Sequence, residues 1–427
     1  MPYENNHFVP RLVLRRYGNK INYYNLKTNK LYMNKNIDNC FAQKNLYPLE
    51  LELELGKLES KFADLLNNRI LNANDKIILS REELVLIKKF LLIEMFRVPD
   101  ALVERAEIRK NPGFNSKLYG FNEKIIEGET YSEYVFRTIR TIINSNDIDE
   151  YIKNEDKTFE GAKWFNLVNS CYLTFWDSTK SNEDFLITDR GLTCEHEKTR
   201  FAFERYGFHE ELIKEGFVLS KMLDSNLGHE QFSNYNQILR LSSYVFANYY
   251  MFSISETRMI GLINPWYRMW FDEQLINVLG GTPDVYPCML SKEAMKANYC
   301  KYVNQRNEDG FVTYDKNDEY IYDIKYLGFD DVCIINVMML DRTYELLGFV
   351  NSKRIIRSLA VYNHLKVKLN DLSGLQKELE TYGYDFPKSV EYLKKADKIT
   401  RISFTEEEQK YINYIFGLKN KMKDDII

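Results

Sequence analysis

The chain has 427 residues, of which 44% are hydrophobic and 28% are charged, a composition that is typical of globular proteins and excludes a wholly disordered chain. Its length allows two or three domains, or one large domain with insertions. The formal net charge of -4 excludes a general basic field, so any binding to nucleic acid or anionic lipid must come from a local patch.

The cysteines and the apolar segments indicate the cellular compartment of the protein. The six cysteines are scattered without a CxxC pair, which fits neither a disulfide scaffold nor a zinc ribbon and suits a reducing cytoplasm. The first seven residues have neither a basic start nor an apolar stretch, and the apolar runs are shorter than the roughly 20 residues of a membrane span. We therefore expect a soluble cytoplasmic protein with no membrane contact.

The amino-terminal quarter predicts a hairpin followed by two helices. After a short helical or extended segment over residues 11–17, residues 21–25 and 30–33 flank a turn, which is typical of a β-hairpin. The leucine spacing over residues 49–71 is helical. Ser80 and Glu83 form a capping box, which predicts a helix that starts there and runs to about Arg97.

Helices alternate with a few strands in the rest of the chain. The pattern predicts helices over residues 131–144, 162–172, 235–260, 331–347, 352–365 and 406–418, and strands over 185–188, 284–286, 311–314 and 320–326. The predicted fold class is α+β, predominantly α-helical, with an amino-terminal β-hairpin and a small central mixed sheet. Turn-rich boundaries divide the chain into residues 1–110, 111–280 and 281–427, which we expect to form one compact unit sharing a site.

Well-known catalytic motifs are missing from the sequence. It holds no P-loop, no dinucleotide-binding glycine motif, no HExxH zinc motif and no kinase signature. The densest candidate for a metal site is Asp189, at a predicted strand end, with Glu195 and His196 shortly after it, a set that suits Mg²⁺ or Mn²⁺. The alternative is a solvated charged loop in which Asp189 caps a turn.

Basic residues near the amino terminus form a second candidate site. His7 is followed by Arg11 and Arg15, which share a face if this stretch is helical. They would give a phosphate-binding fork beside an imidazole that acts as acid or base. The alternative is structural, with arginines that stack on tyrosine or pair with glutamate. Arg97, at the end of a mostly apolar helix, either covers the last carbonyls or, if buried, contributes to binding.

The segment NHFVPRLVLRRY over residues 6–17, with the hairpin that follows it, resembles a bacterial family known as domain of unknown function 4238. The strand end at Asp189, the step before Ser291 and the late Asn336 are similar to later elements of that family. Two features depart from it: a longer stretch after Asp189, which suggests a helical insertion, and Arg190-Gly191 in place of the commoner Asn-Pro. The resemblance implies no activity, but it implies that distant residues converge on one pocket, namely His7, Pro10, Asp189, Ser291 and Asn336.

The leading hypothesis is a metal-assisted phosphodiesterase or nuclease that acts as an effector in bacterial defence against phage. Its catalytic residues would be His7 as general acid or base, Arg11 as phosphate clamp, Asp189 as metal ligand or partner of His7, and Asn336. The residues expected to bind substrate are Arg15, Arg97, Arg190 and Ser291. The implied cofactor is Mg²⁺ or Mn²⁺. The implied partner is nucleic acid or a nucleotide, with a protein partner or a homo-oligomer as further options.

Two other hypotheses stay open. In the first, the protein is a non-enzymatic binding or sensor protein, and His7 and Asp189 are structural partners. In the second, single-stranded nucleic acid stacks on the aromatic residues 244–252 of the helix predicted over 235–260. Because those rings would point around the whole helix, core packing is the better explanation for them.

Overall fold

The computed structural model describes residues 5–97, 122–194, 249–263, 290–295, 318–364 and 371–384. Helices and sheets are mixed throughout these residues, so the chain has the α+β class that the sequence predicts. Within these ranges, none of the helices is long and apolar enough to cross a membrane.

The described strands form three sheets. Their bounds are β1 (Asn5–His7), β2 (Lys20–Asn25), β3 (Lys30–Asn36), β4 (Ala42–Lys44), β5 (Lys76–Ser80), β6 (Tyr172–Asp177), β7 (Ile187–Thr188), β8 (Thr193–Cys194), β9 (Tyr249–Ser253), β10 (Arg258–Ile263), β11 (Glu319–Tyr326) and β12 (Leu346–Phe349). A six-stranded sheet has the order β5-β11-β6-β10-β9-β8, a four-stranded sheet has the order β3-β2-β12-β7, and β1 pairs with β4. The six-stranded sheet is mixed, because β11 runs parallel to β6 while all other neighbouring strands in this sheet are antiparallel.

The described helices pack around these sheets. Their bounds are α1 (Arg11–Leu14), α2 (Leu49–Leu65), α3 (Arg81–Glu94), α4 (Tyr131–Ile143), α5 (Ile148–Lys153), α6 (Phe159–Ser170), α7 (Lys292–Met295), α8 (Phe329–Arg342), α9 (Ile356–His364) and α10 (Ser373–Thr381). The predicted capping box starts α3: the Ser80 hydroxyl accepts from the Glu83 amide while the Glu83 carboxylate accepts from the Ser80 amide. Thr130 and Glu133 start α4 in the same way.

The six-stranded sheet separates two hydrophobic cores. Because side chains alternate along a strand, neighbouring residues of β6 face opposite ways: Phe175 belongs to the core that contains α2 to α6, and Trp176 to the core that contains α7 to α10. The same alternation divides β9 and β10, so both faces of this sheet are covered by helices. Its central strands are therefore buried on both sides.

The hairpin is present where the sequence predicts it, as β2 and β3, and it pairs with a strand from far along the chain. β12 lies between β2 and β7, and it is antiparallel to both. β5 pairs in the same way with β11. Strands from the first and last of the three predicted segments thus share two sheets.

The prediction of a helix over residues 235–260 is wrong for its described part, which forms β9 and β10. Every residue of these two strands is buried, and the sequence shows two short apolar runs, over residues 249–252 and 259–263, in which strand and helix look alike. Tyr249, Tyr250 and Phe252 lie in the cores, which confirms core packing over nucleic-acid stacking at these positions. The same strands occupy part of the predicted helical insertion.

Other boundaries also differ from the predictions. The helix predicted over 331–347 ends at Arg342 and gives way to β12, and β6 follows α6 where no strand was predicted. Both strands are apolar and short, which leaves little periodicity to detect. The strands predicted over 284–286 and 311–314 and the helix over 406–418 lie outside the described residues.

Candidate functional site

His7 is the last residue of β1, and its ring is held on both sides. Nδ1 accepts a hydrogen bond from Arg11 Nε at 3.1 Å, and Nε2 lies 3.3 Å from the Ile37 carbonyl oxygen. Because Arg11 is always a donor, this pattern requires the neutral tautomer that carries its proton on Nε2. Pairing of β1 with β4, which joins His7 to Ala42, fixes the backbone from which the ring projects.

The surroundings keep this imidazole neutral. Burial lowers the pKa of His7 to about 4, and the positive charge of Arg11 acts in the same direction. The residue is only 5% exposed, whereas the Arg11 side chain is 43% exposed. At neutral pH the ring therefore presents a lone pair on Nδ1, and an arginine that solvent can reach covers it.

Arg97 ties the backbone of His7 to the interior. This fully buried guanidinium donates from Nη2 to the His7 carbonyl oxygen at 2.6 Å, and from Nη1 to carboxylate oxygens of Glu59 and Glu94. It also lies 5.8 Å from the ring centroid of Tyr47, whose hydroxyl donates to the Arg97 carbonyl oxygen at 2.8 Å. Arg97 is thus placed beside the candidate site by α2 and by the end of α3.

The charges around Arg97 do not balance. One guanidinium contacts the carboxyl groups of Glu59 and Glu94. Burial raises the pKa of the nearby Glu52, with Arg97 opposing and Glu59 reinforcing the shift. Burial raises the pKa of Glu94 to about 8, with Arg97 opposing and Glu59 reinforcing the shift. The raised pKa favours the protonated form of Glu94, which remains within hydrogen-bond distance of Arg97 together with Glu59. One oxygen of Glu94 has no hydrogen-bond partner among the described residues.

Asp189 follows β7, and its carboxylate is occupied by backbone amides. Oδ1 accepts from the Tyr344 amide at 2.9 Å, and Oδ2 accepts from the amides of Glu345 and Leu346 at 2.6 and 2.8 Å. Burial raises the pKa of this carboxyl, and the three amides oppose the shift. The carboxylate joins the turn before β12 to β7, while both ring nitrogens of His7 have other partners. The structure therefore does not bring Asp189 and His7 into a hydrogen-bonded pair.

Gly191 brings the Asp189 turn close to the Arg97 cluster. Its φ is +62°, and a Cβ at this position would lie 2.8 Å from the Glu94 carbonyl oxygen. A side chain would therefore be excluded both by the left-handed backbone and by the end of α3. Arg190 turns the other way, donating from Nε to the Arg342 carbonyl oxygen at 2.9 Å and lying over the Tyr344 ring.

The side chains of Asn336 and Ser291 form their hydrogen bonds with segments other than the one that carries His7. The Asn336 amide group, on the buried helix α8, accepts from the Leu186 amide and donates to the Asp184 carbonyl and the Ser358 hydroxyl. Ser291 begins α7, where its hydroxyl accepts from the Ala294 amide and donates to Asp331 at 2.7 Å. Both side chains hold neighbouring segments together.

The remaining predicted residues divide into two groups. Arg15, next to α1, is exposed, and no hydrogen bond or ion pair joins its side chain to the described residues. Glu195 and His196 lie outside those residues, so the predicted metal set of Asp189, Glu195 and His196 stays a prediction. In the ranges that the structure covers, no group of three or more His, Cys, Asp or Glu side chains is placed to hold a metal ion.

The structure brings together three residues that the sequence singles out, His7, Arg11 and Arg97, with three that it does not, Tyr47, Glu59 and Glu94. The two glutamates sit on different helices, 38 and 3 residues from Arg97. The available signal is Glu94 directly after the apolar run of residues 90–93 at the end of α3, because a carboxylate in such a place needs a buried cation.

Comparisons with known proteins place the chain in a family without assigning an activity. Neither the curated proteins nor the solved structures include a match to this chain. The family described as "Protein of unknown function (DUF4238)" matches residues 5–222, a range that includes His7, Arg11, Arg97 and Asp189. Since this range is just over half of the sequence, the chain belongs to the DUF4238 family.

Proposed function

We propose that this protein hydrolyses phosphodiester bonds, as a nuclease or phosphodiesterase, and that His7 and Arg11 form its reactive pair. One observation carries the proposal: a partly exposed guanidinium contacts Nδ1 of an imidazole that is neutral at physiological pH. The guanidinium can bind a phosphate oxygen. The neutral imidazole is the form that accepts a proton from an attacking hydroxyl.

Substrate binding would switch the pair on. An anionic phosphate oxygen is a stronger acceptor than a neutral ring nitrogen, so a bound phosphodiester would draw the Arg11 guanidinium away from Nδ1. The lone pair of Nδ1 would then be free, and partial neutralisation of Arg11 would raise the pKa of His7 towards the working pH. Nδ1 would take the proton of the attacking water or hydroxyl. Arg97, through the His7 carbonyl, would keep β1 in place.

Metal assistance by Mg²⁺ or Mn²⁺, through Asp189, Glu195 and His196, remains part of this proposal. Both oxygens of Asp189 accept backbone amides, so ligation there would have to replace at least one of these hydrogen bonds. Activity measured with EDTA, Mg²⁺ or Mn²⁺ decides whether the metal is needed.

The test is hydrolysis by the purified full chain of labelled RNA, single-stranded and duplex DNA, and cyclic or linear dinucleotides. We expect His7→Gln to lower the rate by about 100-fold or more, because general base catalysis contributes that much and glutamine can still donate to the Ile37 carbonyl. Arg11→Gln should also lower the rate, whereas Lys57→Gln, at an exposed position of α2, should not. Intact substrates under all metal conditions, or equal rates in parent and His7→Gln, would contradict the proposal.

A non-enzymatic binding or sensor protein is the second candidate. It is favoured by the fact that both ring nitrogens and the carbonyl oxygen of His7 are bonded within the protein. In that case His7→Ala would lower the unfolding temperature by several degrees, and no activity would be lost. A catalytic His7 would instead lose activity with a small change in stability.

The defence role is the cellular part of the proposal. A nuclease in the bacterial cytoplasm could limit infection by degrading phage or host nucleic acid. Plaque counts on cells that express the parent or His7→Gln test this, because only the parent should reduce them.

A further inference from the structure

One amino-terminal segment of this acidic protein has a net positive charge. Residues 5–47 contain one acidic residue, Asp38, and eight basic ones, which gives this segment a charge of +7 in a chain whose net charge is -4. The eight are Arg11, Arg15, Arg16, Lys20, Lys27, Lys30, Lys35 and Lys44. The segment comprises β1, α1, the hairpin and β4, so this part of the fold has the net positive charge that a polyanion-binding surface needs.

A bulge in the hairpin brings two of these lysines onto one face with two tyrosines. Ile21 pairs with Lys35 and Tyr23 pairs with Tyr32, so β3 has one residue more than β2 between these pairs. Asn34, with a φ of 53°, takes up the extra residue. Lys35 therefore returns to the face that carries Tyr32 and Lys30, because residues paired directly across two strands share a face.

The two tyrosines on this face are stacked. The ring centroids of Tyr23 and Tyr32 are 4.8 Å apart with an interplanar angle of 16°, and the Lys35 ammonium lies 5.9 Å from the Tyr32 centroid. Both rings are half-buried, and β3 is an edge strand. On the opposite face, Tyr24 and Leu31 pack in the core that contains α10. We call the face with Tyr23, Tyr32, Lys30 and Lys35 the hairpin face.

The hairpin face is continuous with the proposed reactive pair. Lys35 is two residues from Ile37, whose carbonyl oxygen faces His7 Nε2, and a strand advances by about 3.3 Å per residue. Asp38, the next residue, lies 4.0 Å from Arg11. A polyanion lying along β3 would therefore pass close to Arg11.

We propose that the hairpin face binds single-stranded nucleic acid, with a base stacked on Tyr32 and phosphates on Lys30 and Lys35. This inference rests on the proposed function, because it names single-stranded nucleic acid as the substrate class of the proposed hydrolase. Aromatic rings between lysines favour unpaired bases, because bases in a duplex are already stacked on each other. A nucleic-acid duplex or a lipid surface would instead bind through the lysines, without using the tyrosine rings.

The test is binding of fluorescent oligo(dT) and oligo(U) to the full chain, measured by anisotropy in EDTA over a range of salt concentrations. We expect Tyr32→Leu to weaken binding about tenfold and Tyr32→Phe, which keeps the ring, to change it less than about twofold. Lys30→Gln/Lys35→Gln should reduce the slope of log affinity against log salt by about 1.4, because each phosphate contact on a single strand contributes about 0.7. Lys57→Gln/Lys61→Gln on α2 makes the same charge change away from this face and should leave the slope unchanged.

Three results would overturn the inference: no binding to either oligonucleotide at 50 mM salt, equal affinity in Tyr32→Leu and Tyr32→Phe, or binding to duplex DNA or anionic vesicles that depends on the lysines alone. Thermal melts ensure that each variant is folded. Binding without hydrolysis would leave the inference standing and remove the proposed function. Hydrolysis by the parent, combined with unchanged binding in Tyr32→Leu, would support the proposed function and remove the inference about the hairpin face.

Discussion

The polar residues of the candidate site are arranged to control charge in a nearly dry environment. His7 stays neutral beside Arg11, and burial raises the pKa of Glu94. Burial also opposes the charge of Arg97, but its acidic neighbours, Glu59 first among them, raise its pKa. Groups whose pKa values are pushed in opposite directions within one cluster are common at functional sites, although structural ion pairs show the same behaviour. The pH dependence of the protein's stability therefore tests whether these groups have the shifted pKa values.

We expect His7 to make the fold sensitive to mild acid. Its pKa is about 4 in the folded protein and about 6.5 when exposed, so the unfolded chain takes up the proton first. The stabilising contribution of the neutral ring is complete above about pH 6.5 and is lost as the pH falls towards about 4. Urea unfolding of the parent and of His7→Gln should therefore show a stability difference that shrinks between pH 7 and pH 4.5. A difference that is constant with pH would contradict this assignment.

At the scale of single residues, the sequence could predict the basic half of the cluster but not the acidic half. His7, Arg11 and Arg97 are rare or unusually placed residues, and this can be seen in the sequence. Glu59 is one of many charged residues on α2, and its contact with Arg97 depends on how α2 packs against α3. The packing of these two helices is a feature of the tertiary structure, and no spacing of residues along the sequence predicts it.

At the scale of secondary-structure elements, Asp189 acts as a clamp between β7 and the turn before β12. We expect Asp189→Asn to lower the free energy of unfolding by about 2–4 kcal/mol, because the amide places an N–H group against backbone N–H donors inside the protein. Asp156→Asn, at an exposed residue, should change it by less than about 0.5 kcal/mol.

Chemical unfolding of the two variants measures these changes. If Asp189→Asn is as stable as the parent, the carboxylate does not hold the turn, and its predicted role as metal ligand becomes the better explanation of its position.

Elements with a local signal could be predicted, and elements without one could not. The capping box of α3 and the turn of the hairpin are each encoded within a few residues, so the sequence predicts both elements. β9 and β10 are buried on both faces by helices from other parts of the chain, so they lack the alternation that marks a half-exposed strand. Tertiary burial, rather than local preference, determines their conformation.

At the scale of the whole molecule, the sheets join the two ends of the sequence. β2 pairs with β12 and β5 with β11, so the hairpin and α3 depend on strands from beyond residue 318. We expect the sheets and the helices packed on them to unfold in one cooperative transition. Tyrosine fluorescence and far-ultraviolet circular dichroism of the full chain should then change together. We also expect residues 1–110, produced alone, to show no cooperative transition. Separate transitions, or a stable fragment, would show that the hairpin unit is independent.

The pairing of β2 with β12 also constrains how the protein is made. The Asn22 side chain bonds to the Val350 carbonyl, 328 residues away. While the ribosome synthesises the intervening chain, at about 5–20 residues per second, the inner edge of the hairpin has no partner strand. For at least about 15 seconds the edge of β2 is open to wrong partners, and contacts of such large sequence separation also form slowly. The hairpin is therefore made long before its partner strand β12, and the open edge of β2 is a place where a chaperone could protect the nascent chain.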